Sequence, residues 1–134
     1  MDDRLRQLVR RRAKNCCEYC QLHQRQEPLP FHIEHITPRQ HGGKDLSNNL
    51  ALACHHCNLQ KGANLSGLDP RNGKITRLFH PRLDDWEDHF KSREGEIVGL
   101  TAIGRTTVNL LRMNEDGRLQ LRESAGRRKV LGCP

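Results

Sequence analysis

The chain has 134 residues, of which 34% are hydrophobic and 4% aromatic, and its formal net charge is +7. That length suits one domain with at most a small appendage, and so thin an apolar content argues against a core that stands without a staple. The positive charge is silent on fold but predicts attraction to polyanions, through Lys and Arg displacing counterions from phosphates, so nucleic acid is the first partner to expect.

Asp2 and Asp3 precede Leu5, Leu8, Val9 and Arg12 at helical spacing, which predicts a short amphipathic helix ending near Asn15. Its other face carries Arg4, Arg6, Arg10, Arg11, Arg12 and Lys14, which either grip phosphates or form a solvated cationic face beside a packed leucine stripe. This opening lacks the apolar stretch of a signal peptide, and no run is long enough to cross a bilayer, so no membrane partner and a cytoplasmic location are expected. In that reducing setting the six cysteines are expected as thiols or metal ligands, not disulfides.

Cys17 and Cys20 form a C-x-x-C pair, and Cys54 and Cys57 repeat it. Two such knuckles joined by one connector build a tetrahedral all-cysteine site for structural Zn2+, whereas one pair alone would equally suit redox chemistry. Cys16 in place of Cys17 would give C-x-x-x-C, and Cys133 has no partner at such a spacing, so both are expected to be spare thiols.

The polar stretch 21–30, with Pro28 and Pro30, reads as a loop. Residues 31–36 (FHIEHI) alternate as a strand that Thr37-Pro38 stops, and 40–45 form a glycine-rich turn. LALA then reads as a second strand, and HHCNLQKG as a short helix ended by Gly62. Beyond it, 69–73 (DPRNG) is a turn, 74–79 a strand, and 96–100 its expected antiparallel partner. LDDWEDHF predicts one or two helical turns with Trp86 and Phe90 packing inward. Thr101 caps an expected final helix whose Ile103, Val108 and Leu111 face the core, before the tail GRRKVLGCP frays.

In order, C-x-x-C, EHI-x-P, HGG and NNLALAC-x-x-C-N-x-x-KG resemble the HNH endonuclease family from Cys17 to Gly62, and IVGLTAIGRTTVNLLRMN resembles an extension found in a bacterial HNH subgroup. The resemblance implies an α+β chain: a small ββα-metal, treble-clef-like (His-Me finger) nuclease core stapled by zinc, followed by a strand and helix extension. Residues 1–90 would form the nuclease domain with its basic helix, and 91–134 the extension packed on it. The implied reaction is hydrolysis of a DNA phosphodiester with one divalent ion, leaving 3′-hydroxyl and 5′-phosphate ends. RNA is a further possible substrate.

The residues point the same way. Hydrolysis needs a base for the water and a cation for the charge developing on phosphate and leaving oxygen. His35 is the natural base, since a neutral imidazole accepts a proton near pH 7. Glu34 is a hard oxygen ligand suited to Mg2+ or Mn2+, and Asn58, at the position of the family's final histidine, would offer an amide oxygen to the same ion. Asn49 matches the family's middle asparagine, and its amide would tie the loop after His35 and orient the imidazole. Because a regular pleat sends Glu34 and His35 to opposite faces, a twist or bulge is expected there; His32, on the face of Glu34, competes as ligand or base. Arg39, Lys44 and Lys61 flank the site as candidate phosphate contacts. One site cuts one strand, so a monomer or weak homodimer would nick with low sequence specificity. The rival readings are a zinc-finger module that binds nucleic acid without turnover and a zinc-stapled protein-interaction domain.

Overall fold

Helix α1 (Asp3–Arg12) begins where the sequence places a cap, with the Asp2 carboxylate accepting from the Leu5 amide at 2.9 Å. Asp3 in its first turn and arginines in its last complement the helix dipole. In this computed structural model, which describes residues 1–128 and Cys133, α1 packs Val9 into the core while Leu8 stays exposed. Arg10 and Arg12 do not remain on a solvated face: they donate to the carbonyls of Phe31 and of Ser47 and Leu50, pinning the neighbouring strands.

Strand β1 (His32–His35) pairs with β2 (Leu50–Ala53) in an antiparallel register unbroken from His32↔Ala53 to His35↔Leu50. All four β2 residues are buried, since α1 lies against the hairpin and so does the helix that follows, α2 (His55–Lys61). Cys54 caps α2 through its sulfur, which accepts from the Cys57 amide, and Gly62 ends it with φ of 51°.

The expected pairing of 74–79 with 96–100 is overturned. β3 (Ser66–Leu68) pairs with β4 (Ile75–Arg77), and β5 (Phe90–Arg93) with β6 (Glu96–Gly99). Each strand finds its partner across its own turn, the second of which puts Glu94 and Gly95 at φ of 52° and 86°, a tight reversal that favours the nearest strand. Between the hairpins, α3 (Trp86–His89) is a single turn; Trp86 stacks against Phe90 with centroids 5.1 Å apart and donates to the Tyr19 carbonyl at 2.8 Å.

Helix α4 (Ala102–Leu110) carries the expected cap, Thr101 accepting from the Gly104 amide at 3.0 Å. It is not the final helix, because α5 (Arg118–Arg128) follows. Among the described side chains of α5 the most buried is Arg122, which donates to the Gly95 carbonyl and the Asn114 side chain, so no apolar stripe announced this helix. The expected fraying of the tail falls largely on residues outside those described. One hydrophobic cluster runs from Val9 through the four knuckle cysteines to Phe90, Ile97, Leu111 and Met113. Cys16 and Cys133 are not spare thiols: they form a disulfide with Cα atoms 5.9 Å apart, within the ordinary span of such a bridge.

Candidate active site and metal centre

The two knuckles converge. The ligand atoms of Cys17, Cys20, Cys54 and Cys57 all lie within 4.8 Å of one another, fully enclosed. Cys20 and Cys54 sulfurs are 3.8 Å apart, the edge of about 3.8 Å that a tetrahedron of 2.3 Å bonds would have. Within each pair the second cysteine's amide points at the first sulfur, at 3.5 and 3.4 Å, as a thiolate acceptor requires. Burial pushes the Cys17 thiol well up, hydrogen bonds from its neighbours raise Cys57, and hydrogen bonds draw Cys20 well down. Four enclosed sulfurs this close together fit one tetrahedral cation. Arg118 of α5 donates to the Cys54 sulfur at 3.2 Å while pairing with Glu27, so the extension covers this centre.

On the far side of the hairpin stands His35, its side chain 19% exposed, with Nε2 2.6 Å from Oδ1 of Asp45. Arg39 donates to both Asp45 oxygens, at 2.9 and 3.0 Å. The hydrogen bond with His35, and the charge of Arg39 after it, hold the Asp45 carboxyl below its usual range. The Asn49 amide bridges the loop: Oδ1 accepts from the Thr37 amide at 2.8 Å, and Nδ2 donates to the carbonyls of Thr37 and Lys44, each at 3.0 Å. This closure explains the paired glycines. A Cβ on Gly43 would sit 1.6 Å from the Thr37 carbonyl oxygen, while Gly42 supplies a φ of 89°. Asp45 was missed in the sequence, although it is the one carboxylate between Ile36 and Asn49.

Glu34 lies elsewhere. The regular β1–β2 register contains no bulge, so the expected irregularity is absent and adjacent side chains take opposite faces. Glu34 is 6% exposed, takes the Tyr19 hydroxyl at 2.9–3.0 Å on both oxygens, and pairs with the Lys61 ammonium at 3.2 Å. Burial raises its carboxyl, with Lys61 and Tyr19 pulling the other way. As found, Glu34 is not open to an ion. Lys61, 2% exposed and also donating to the Ile36 carbonyl at 2.9 Å, is not open to phosphate. Lys61→Met should destabilise the fold by about 3–5 kcal/mol in urea unfolding, because it strands a buried carboxylate. Its removal lifts the Glu34 carboxyl further above its unfolded value, so the deficit should be smallest in acid and grow as pH rises through the carboxylate range. A deficit that is small and flat with pH would show that the pair does not hold α2 to the hairpin.

Asn58 stands on α2 one turn before Lys61, partly exposed. Arg39 and Lys44 are exposed beside the His35 loop. His32 meets His55 instead of His35, Nε2 to Nδ1 at 3.2 Å. His56 is half-buried and donates to the carbonyls of Leu111 and Arg112, both at 2.9 Å, tying α2 to the end of α4.

Residues 17–64 match the HNH endonuclease family. The chain is also similar to Septu protein PtuB of Bacillus thuringiensis, with 28% identity over 109 residues that cover 80% of this chain and 40% of that protein. The chain therefore spans less than half the length of this relative. No solved structure matches it. Among the described residues, no helix is long and apolar enough to cross a membrane. Both knuckles, the β1–β2 hairpin with His35, the loop that Asn49 closes and α2 all fall inside the segment that matches the HNH endonuclease family.

Proposed function

We propose that the chain is a metal-dependent endonuclease that hydrolyses DNA phosphodiester bonds, nicking one strand per site with low sequence specificity. The observation that carries this reading is His35, a partly open imidazole at the end of β1, set in an HNH segment behind a loop fixed by Asn49. A neutral imidazole there suits general-base removal of a proton from water. Arg39 and Lys44, exposed around it, suit phosphate contacts. The cysteine quartet, closed on all sides, suits structural zinc, since catalytic zinc needs an open position.

The dependence on Mg2+ or Mn2+ is read from the reaction class, in which a divalent cation neutralises charge at the phosphate and the leaving oxygen. Asn58 has the oxygen for such an ion. Glu34, held by Lys61 and Tyr19, does not fit as its companion ligand in this arrangement. That engagement is the one observation favouring a second reading, a zinc-finger module that binds nucleic acid without cutting it.

Supercoiled plasmid separates the two. Metal-loaded protein with added Mg2+ or Mn2+ should produce open circles before linear DNA, and EDTA should stop it; double-strand breaks would need a dimer or two successive nicks. If neither DNA nor RNA is cut, yet both bind with an affinity that falls steeply with salt, the binding module is the right reading. A sharp, unique cut pattern on long duplex would overturn the low specificity.

A further inference from the structure

An imidazole that takes a proton from water must keep one nitrogen bare and hold the other still. His35 Nε2 is 2.6 Å from an Asp45 oxygen, a length fitting a charge-assisted bond in which Nε2–H donates to a carboxylate. The partner of one ring nitrogen fixes the proton's place, so Nδ1 is left bare. Asp45 is itself held: Arg39 donates to both its oxygens, at 2.9 and 3.0 Å.

The loop adds a further constraint. A single side chain, Asn49, is bonded to Thr37, two residues after His35, and to Lys44, the residue before Asp45. Ring and carboxylate are thus set relative to one another by one amide that bridges the backbone on both sides. Glu34 cannot serve in this way, because it sits on the opposite face with Lys61.

We propose that Asp45 is the positioning residue of His35, fixing the tautomer and the direction of the ring, with Arg39 bracing the carboxylate. This rests on the nuclease reading above. In that reaction the water oxygen bonds to phosphorus, its proton passes to Nδ1, the bond from phosphorus to the 3′ oxygen breaks, and that oxygen takes a proton from solvent. Asp45 keeps its charge throughout and touches neither water nor phosphate.

Three variants and one spectrum test it. Asp45→Ala should lower kcat for plasmid nicking by about 10- to 100-fold, the usual cost of losing a carboxylate that orients a functional histidine, with little change in KM. Asp45→Asn should be worse than alanine, because its amide can donate to Nε2 and drive the proton onto Nδ1, and Asp45→Glu should restore part of the rate. Side-chain 15N NMR of His35, recorded above the imidazole's titration range, should show Nε2–H in wild type and lose that signature in Asp45→Asn. A merely structural loop residue would not reverse the order of Ala and Asn or move the tautomer. Nδ1–H in the wild-type protein, or a folded Asp45→Asn protein with wild-type kcat, would overturn the proposal. Should wild type itself fail to nick, the nuclease reading falls, and the spectrum still decides whether Asp45 sets the tautomer.

Discussion

Cys54→Ser is expected to leave the chain without a cooperative thermal transition in the presence of a reductant. With 34% hydrophobic residues, the protein has a thin apolar interior, and the four cysteines that could hold an ion are members of its main buried cluster. An ion in such a quartet contributes about 10–16 kcal/mol of apparent binding energy, against about 5–15 kcal/mol for the net stability of an ordinary domain. Cys54 carries more than its share: its sulfur caps α2 and accepts from Arg118 of the last helix. Stripping the ion from wild type with a strong chelator should reproduce the variant's circular-dichroism melt, and metal analysis should show one tightly held ion per chain falling to none. A serine variant that melts sharply within a few degrees of wild type would show that the centre is dispensable to the fold.

His35→Ala should lower the nicking rate by about 10²- to 10⁴-fold, the range that a general base supplies. The fold should survive, because the imidazole is 19% exposed and Asp45 keeps Arg39 when it is gone. The comparison is made on variant protein with the wild-type melt and metal content, so that lost activity is not lost structure. A folded variant nicking near the wild-type rate would place the base elsewhere, with His32 the next imidazole on β1.

Where chemistry is local, the sequence disclosed it. The C-x-x-C spacings located all four members of the quartet, Thr101 and Gly62 marked helix ends, and FHIEHI with LALA located a hairpin within a residue or two of its limits. What stayed hidden was set by contacts between distant segments. Lys61 reads as a surface cation until the hairpin folds over it and Glu34 becomes its counter-ion. Asp45 reads as a turn residue until the loop closes beneath Asn49 and brings it to His35. The expected partnership of 74–79 with 96–100 failed because SGL and FKSR are too short and polar to register as strands, although each lies across a tight turn from its mate. Helix α5 escaped because Arg118 and Arg122, residues that read as solvated cations, help to seat it through hydrogen bonds.

The bridge between Cys16 and Cys133 spans 117 positions, so topologically the protein is a ring, and the whole of 17–64 lies on the arc it encloses. A protease that opens the exposed turn after Asp69 would release no fragment: the severed arc stays in one piece until a thiol reagent unlocks it. Closing a loop of this size withdraws about 4–5 kcal/mol of freedom from the unfolded chain. How easily the protein re-forms after being pulled apart is therefore set partly by the thiol balance of its surroundings, which determines whether it meets the solvent as a circle or as a thread.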